Sequence, residues 1–415
     1  MTEARDPLRA RLALATGRLA GRLSQALGKG SGSMIGGRLA LRVDPQVLHA
    51  VSGDRCSVLV TGTNGKSTVT ALVAAAISPG GAVVSNTTGA NMTDGIVTAL
   101  SGDRLSPLAA LEVDEVYLEP VARGTRPKAV VVLNSSREYT RGVSLKSTLE
   151  HWRRTAAGLP EDCVAIVNVD DPLVSWAFET APRRIGVCGG LYWRGDALVC
   201  PACGALQDFT DDSWSCPGCQ RSRPEPDWKI VPDGDGWAVE HAGARTRIEV
   251  TVPGRTGPVG GAFALAAADA LGVDVDTAAQ RVSAVADVDG RYAPYRVGEH
   301  DARLLMLKNP AGWAEAIDVV VSTDRPLVVA VDPFGPKDTA TMWEAPFQRL
   351  AGHRVAVTGG RTADAVAILE AAGVDVVEAA DLESALRRQA PGEVIVACNY
   401  PAFRRISKHL RGGTH

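Results

Sequence analysis

The chain has 415 residues, 45% of them hydrophobic and 22% charged, with a formal net charge of −3. That length predicts two or three domains with real cores, in a composition ordinary for a soluble globular protein. The near-neutral balance offers no bulk attraction to nucleic acid or acidic membranes, and no apolar run approaches the roughly 18–20 residues of a membrane span.

The amino-terminal stretch Leu8–Leu23 is basic and roughly helical in period. Arginines interrupt each apolar stretch, so it lacks the apolar core of a secretory signal. It reads as an amphipathic helix leading into the loop Gly28–Ser33, with contact to a membrane surface as the alternative. The cytoplasm, with reduced thiols, is the expected location.

Val58–Val60 is a short apolar run followed by Gly62-Thr63-Asn64-Gly65-Lys66-Ser67-Thr68 and an apolar helix to Ile77. Strand, glycine turn and helix start in this order suit phosphate binding. Backbone N–H groups of the turn and helix start face the anion, Lys66 adds a charge, and the Ser67 hydroxyl is placed to ligate magnesium. The bland alternative is a turn that merely joins strand to helix. The common phosphate loop is longer, whereas Gly62 and Gly65 here enclose only two residues. This compact form resembles the ATP loop of Mur ligases and folylpolyglutamate synthases, which implies ATP spent on activating a carboxylate as an acyl phosphate.

Next, Val83–Asn86 reads as a strand ending in the polar loop Thr87–Gly95, with Thr87 and Thr88 at a ligand-binding sheet edge or in a helix cap. Ala109–Glu115 is a strand with an acidic end. Glu112 is the preferred second magnesium contact and Asp114 or Glu115 a group orienting water or substrate, against a solvated strand end. Lys128–Asn134 and Val164–Asp170 are apolar strands ending in Asn or Asp. Strands and helices alternate to about residue 188, which predicts an α/β fold with a mainly parallel sheet.

Cys200-Pro-Ala-Cys203 and Cys216-Pro-Gly-Cys219 are two C-x-x-C knuckles. Four thiolates in this arrangement fit a structural zinc with no open coordination position, and a small insertion poor in apolar residues needs the metal to fold. Disulfides are disfavoured by the compartment and a redox role by the duplicated knuckle. Cys56, Cys163, Cys188 and Cys398 are expected to be buried, inert thiols.

Gly234–His241 and Arg245–Val252 alternate as antiparallel strands, Pro253–Gly261 reads as a loop, and Ala262–Leu271 as a helix. Asp289-Gly290-Arg291 looks like a linker. A second, smaller α/β unit follows, with strands at Arg303–Lys308, Pro326–Asp332, Arg354–Thr358 and Glu393–Asn399. Lys308 and Asn309 at a strand end are candidates for contact with phosphate or substrate, or plain surface polarity. The expected domains are a helical segment 1–45, a central ATP-binding domain 46–290 with the ribbon at about 198–224, and a carboxyl-terminal domain 291–415.

Together these residues resemble the MurT family, the Mur-ligase-like subunits of lipid II isoglutaminyl synthase. The likeness runs through Gly62–Thr68, Gly89–Met92, Glu112–Glu115, Asn168–Pro172, the four ribbon cysteines, Lys308–Gly312, Gly359–Asp364 with Ala372-Gly373, and Asn399-Tyr400. It implies a Mur-ligase-like central ATPase domain with an inserted zinc ribbon, and the cofactors ATP, Mg2+ and structural Zn2+. It also implies a GatD-like glutamine amidotransferase partner that releases ammonia, and amidation of the D-glutamate α-carboxylate of the lipid II stem peptide. Membrane contact would then come through the lipid substrate. Lys66 and Glu112 fall at catalytic positions, and Asp338 matches an aspartate that meets the partner's catalytic histidine.

Three places depart from the family. Gly257 and Gly260 stand where it has asparagines, one of them near the nucleotide base. A longer acidic stretch is reduced to Arg137–Gly142, and the surroundings of Asp338 through Glu344 are altered. A divergent ligase acting on another carboxylate, or an ATP-binding zinc-ribbon scaffold, are the competing expectations. The absence of an aromatic–basic patch argues against nucleic acid.

Overall fold

The computed structural model describes residues 7–26, 33–86, 89–103, 105–138, 143–191, 193–251, 255–285, 294–334 and 339–412. Thr87 and Thr88, residues 139–142, the expected linker at 289–291 and Asp338 lie outside the described residues.

Three helices open the chain: α1 (Pro7–Ala26), α2 (Ser33–Val43) and α3 (Val47–Ser52). Strands and helices then alternate: β1 (Cys56–Thr61), α4 (Lys66–Ile77), α5 (Thr93–Gly102), β2 (Leu108–Glu112), α6 (Leu118–Thr125), β3 (Ala129–Val132), α7 (Leu145–Ala157), β4 (Val164–Asn168), α8 (Pro172–Ala177) and β5 (Arg183–Val187). A small hairpin, β6 (Asp208–Phe209) and β7 (Trp214–Ser215), precedes β8 (Trp228–Asp233), β9 (Gly236–His241), β10 (Ala244–Ile248), α9 (Thr256–Ala270) and α10 (Val275–Ser283).

The first sheet has the order β10-β9-β8-β5-β4-β3-β1-β2. Pairings from β2 to β8 are parallel, the last through the single rung Val187–Trp228, and β9 and β10 add antiparallel edges. The central strands are apolar on both faces because helices cover both. Leu59, Val130, Val132, Ala165 and Val167 pack with Leu48, Ile96, Trp152 and Phe178 on one side. Val58, Val60, Val131 and Ile166 pack with Leu72, Val73 and Phe263 on the other. This two-residue alternation buries every side chain of β3 and β4. The carboxyl ends of β1, β2, β3 and β4 therefore lie along one edge, where parallel sheets place their sites.

Two boundaries differ from the sequence reading. The segment around Val84 contributes one parallel bridge to Ala109 rather than a full strand. α9 begins at Thr256, so Gly257 and Gly260 are helical rather than in a loop. Pro258 permits this because the first-turn N–H groups of a helix have no internal partner to lose.

The second sheet is built from β11 (Pro294–Val297), β12 (His300–Met306), α11 (Pro310–Thr323), β13 (Leu327–Ala330), β14 (Arg354–Thr358), α12 (Thr362–Ala371), β15 (Asp375–Glu378), α13 (Leu382–Leu386), β16 (Gly392–Cys398) and α14 (Tyr400–Gly412). Its order is β11-β12-β16-β13-β14-β15, parallel except for β11. Trp313, Ile317, Val329 and Phe347 fill one face and Leu304, Val328, Leu386 and Ile406 the other.

Candidate functional site

The loop after β1 turns on two glycines. Gly62 has φ +137°, and a Cβ there would meet Leu133 Cβ at 3.0 Å and the Asn134 backbone at 3.1 Å. Gly65 has φ +83° and caps α4. Both conformations favour glycine. The first helical bond runs from Val69 N–H to Gly65 O (3.0 Å). The N–H groups of Lys66, Ser67 and Thr68 thus form the open first turn that attracts anions.

The loop's earlier N–H groups are already occupied. Thr63 N–H donates to Asn134 O (3.0 Å) and Asn64 N–H to Asn134 Oδ1 (2.8 Å). Asn134, at the end of β3, therefore clamps the loop from a neighbouring strand. Lys66 folds back over it, donating to Gly62 O (2.5 Å) and Thr63 O (3.2 Å). Burial, then the charge of Lys308, lowers the Lys66 ammonium pKa, while Glu115, Glu112 and Glu138 oppose that shift. An arriving phosphate would favour the charged form.

Ser67 Oγ donates to Glu112 Oε2 at 2.5 Å, and both side chains are buried. Asn91 Nδ2 donates to the other oxygen, Glu112 Oε1 (2.9 Å). Asn86 holds the Glu112 backbone at both N–H and carbonyl (each 2.8 Å). Hydroxyl and carboxylate side by side form a hard oxygen pair that fits magnesium.

The two neighbouring acids separate in role. Asp114 accepts from Val116 N–H (3.2 Å) in a local cap. Glu115 accepts from Thr63 Oγ1 (2.5 Å), and burial raises its carboxyl pKa against the pull of Lys66. Of the two, Glu115 is joined to the loop.

The cleft beside the loop is lined by Thr68, Ser135, Asn168, Asp171, Gly260 and Glu315, among others. Asp171 accepts from Ser135, Leu173 and Val174 N–H groups, and burial still pushes its pKa up to about 6. Glu315, on α11, reaches the cleft from the second sheet; burial raises its carboxyl above the ordinary value against a hydrogen bond with Thr256.

Lys308 and Asn309 also cross to the loop region. Lys308 Nζ pairs with Glu138 Oε1 (2.6 Å), and Asn64 Nδ2 donates to Asn309 Oδ1 (3.1 Å). Asn309 is fully buried and caps α11 through Gly312 N–H (2.8 Å), so it is not surface polarity. The sequence alone assigns no individual role to Asn134, Asn86, Asn91, Asp171 or Glu138, although they fall in stretches already named, and it passes over Glu315. Their signal was position at strand ends or in helix caps, which bland loops share.

The ribbon is built twice over. Gly204 N–H bonds Cys200 O and Gln220 N–H bonds Cys216 O (2.9 Å each), and Gly204 and Gln220 have φ of +79° and +61°. The sulfurs of Cys200, Cys203, Cys216 and Cys219 all lie within 4.8 Å of one another, and all four cysteines are free. Tetrahedral sulfur at a Zn–S length of about 2.3 Å requires such spacing, so the donor set fits zinc. Trp214 Nε1 donates to Val169 O (2.9 Å), and Arg223 pairs with Asp170 (2.6 Å), fastening the ribbon to the end of β4. Of the other cysteines, Cys163 and Cys398 are buried, with burial pushing the Cys163 thiol up to about 12. Cys56 and Cys188 are only half-buried, against expectation.

No protein-family model matches the chain. Among solved structures, a pseudomurein peptide ligase type C from Methanothermus fervidus superposes with TM-score 0.67 at 14% identity, covering 89% of this chain and 81% of that one. MurF ligase from Thermotoga maritima, in complex with ADP, gives 0.65 at 14% identity over 90% and 84%. These likenesses show the Mur ligase fold. The MurT subunit of lipid II isoglutaminyl synthase from Streptococcus pneumoniae is 27% identical over 367 residues, 80% of each chain. This chain is thus similar to a MurT subunit over most of its length. The UDP-N-acetylmuramoylalanine–D-glutamate ligase of Geotalea daltonii matches a shorter part, 30% identical over 129 residues, 31% of this chain and 28% of its own length. These relatives are a subunit of a glutamine-hydrolysing synthase and ligases, and the fold is the one this chain shares with them.

Proposed function

We propose that this chain amidates a carboxylate through an acyl phosphate at the expense of ATP. The observation that carries it is the assembly of Lys66, the Ser67–Glu112 pair and the open first turn of α4 at one sheet edge, facing a cleft between the two sheets. The acceptor proposed is the D-glutamate α-carboxylate of the lipid II stem peptide, with ammonia from a GatD-like glutaminase. The MurT relative of Streptococcus pneumoniae supports that choice.

In this reading Gly62–Thr68 hold the ATP phosphates, and Ser67 and Glu112 hold magnesium. Magnesium supplies charge neutralisation on the β- and γ-phosphates when bound. Lys66 stabilises the transferring phosphoryl group as a substrate carboxylate oxygen bonds to γ-phosphorus and ADP leaves. Ammonia then attacks the acyl carbon, loses a proton, and phosphate departs. Lys308 and Asn309 bring the second unit against the loop and help exclude water from the acyl phosphate. Asp338 is proposed to meet the partner's catalytic histidine; Phe334 and Trp343, which bracket it in sequence, are 49% and 62% exposed. The proposed domain limits are 46–290 and 291–415, and the proposed location is the cytoplasm.

Gly260, lining the cleft where the family has asparagine, favours a second reading: a ligase of the same chemistry acting on a different carboxylate. Purified chain with a glutaminase partner, ATP, glutamine and lipid II, followed by mass spectrometry, separates the two. Carboxylate-to-amide conversion on lipid II is the expected result. Acid-dependent ATP hydrolysis with other carboxylic acids, and no amide on lipid II, would leave only the second. No acid-dependent ATP hydrolysis at all would sink both.

A further inference from the structure

α1 turns its larger apolar residues outward. Leu8, Leu12, Leu19 and Leu23 are 72%, 59%, 61% and 54% exposed, at spacings of four, seven and four residues that align them in one stripe. The opposite face is mostly small: Ala10, Ala13, Gly17 and Ser24 are buried with Leu14. That face packs on α2 at a glycine crossing. A Cβ on Gly17 would lie 2.6 Å from Gly36 O, and one on Gly36 would lie 2.9 Å from Gly17 O. The crossing fixes the rotation of α1, so the leucines face water as part of the fold.

Charge borders the stripe. By helical periodicity Arg11, Arg18 and Arg22 run along one flank and Arg9 along the other, and α1 contains no acidic residue. The whole chain carries −3, so this basic surface is local. Among the described residues no helix is long and apolar enough to cross a membrane. A stripe of leucine flanked by arginine instead matches the plane of a bilayer whose headgroups are anionic.

We propose that α1 docks flat on an anionic lipid surface, with its leucines at the acyl–headgroup boundary and its arginines among the phosphates. α2 links this helix to the candidate site. Gly37 packs so closely on Asp94 at the start of α5 that a Cβ would fall 1.7 Å from Asp94 O, and Asn91, just before α5, holds Glu112. The proposal stands on α1 alone and does not rest on the ligase reading, although a lipid-linked acceptor would be met at that same surface.

The test is co-sedimentation of the full chain with vesicles of mixed phosphatidylglycerol and phosphatidylcholine, and with phosphatidylcholine alone. Wild type is compared with Leu12→Ser/Leu19→Ser and with Arg11→Glu/Arg18→Glu/Arg22→Glu. Binding to the anionic vesicles is expected, weakened at least about tenfold by either variant and by added salt. Because the altered side chains are exposed, the melting temperature is expected to hold, and the arginine variant serves if the leucine variant does not fold. Absence of binding to anionic vesicles, or equal binding by folded variants, would overturn the proposal. So would light scattering that shows a dimer which Leu12→Ser/Leu19→Ser makes monomeric, since a second copy would then cover the stripe.

Discussion

Lys66 sits where two demands meet. It must be charged to hold a phosphate, yet it is buried and near Lys308, and both features lower its pKa. The carboxylates of Glu115, Glu112 and Glu138 keep that balance without closing the site. Lys66→Ala should therefore abolish ATP hydrolysis while leaving the melting temperature close to wild type, and unchanged turnover would remove the loop from its proposed role. Asp171 offers a stability prediction. Its folded pKa of about 6 lies above the ordinary carboxylate value of 3.8 because burial disfavours the charge. The acid binds more protons folded than unfolded, so its contribution is fully present below about pH 4 and is lost as pH rises through about 6. The shift corresponds to about 3 kcal/mol. Asp171→Asn should flatten the fall in stability between those limits, as read by urea unfolding of both proteins at pH 4.5 and pH 7. A variant as pH-dependent as wild type would show that Asp171 is not the source.

At the level of elements, what was legible followed from local rules. The strand–glycine–helix order announced the loop at 62–68, and cysteine spacing announced the ribbon, because each chemistry needs its residues close in sequence. Apolar runs gave β1, β3 and β4 for the same reason. What was not legible depends on partners far along the chain. Asn134 clamps Asn64 across 70 positions, and Asn309 reaches the same residue across 245. Nor could periodicity say which face of α1 is buried, since an amphipathic pattern usually turns leucine inward; the glycine crossing with α2 reverses it. Both ribbon strands are two residues long, too short to hold themselves. Purified protein should contain one zinc per chain by metal analysis. A chelator should open residues 198–224 to limited proteolysis while the eight-stranded sheet survives, because β6 and β7 pair with each other and, through Ser215, with Ser222, but not with that sheet. Soluble, folded, metal-free protein with a protected ribbon would rule out the structural metal.

For the whole molecule, the decisive question is what holds the second sheet against the first at the candidate site. Among the described residues, contacts that cross there include Lys308 with Glu138 (2.6 Å), Asn309 with Asn64 (3.1 Å), Glu344 with Arg137 (2.5 Å) and Glu315 with Thr256. Of the two ion pairs, Lys308–Glu138 is the less solvated, with side chains 31% and 10% exposed. Removing one partner strands a poorly solvated charge, whereas removing both does not. Lys308→Met alone should thus destabilise the protein more than the pair Lys308→Met/Glu138→Gln, with a coupling on the order of 1–3 kcal/mol in a double-mutant cycle of urea unfolding. Activity should behave differently. If Lys308 only latches the two units, the double variant regains turnover along with stability. If its charge also serves the phosphoryl group beside Lys66, as its effect on the Lys66 ammonium suggests, the double variant recovers stability but not kcat. The second outcome is expected, because the Lys308 charge acts on the same buried lysine that the phosphate would meet. Full recovery of kcat in the double variant would reduce Lys308 to a latch and leave Lys66 as the sole lysine of the phosphoryl step.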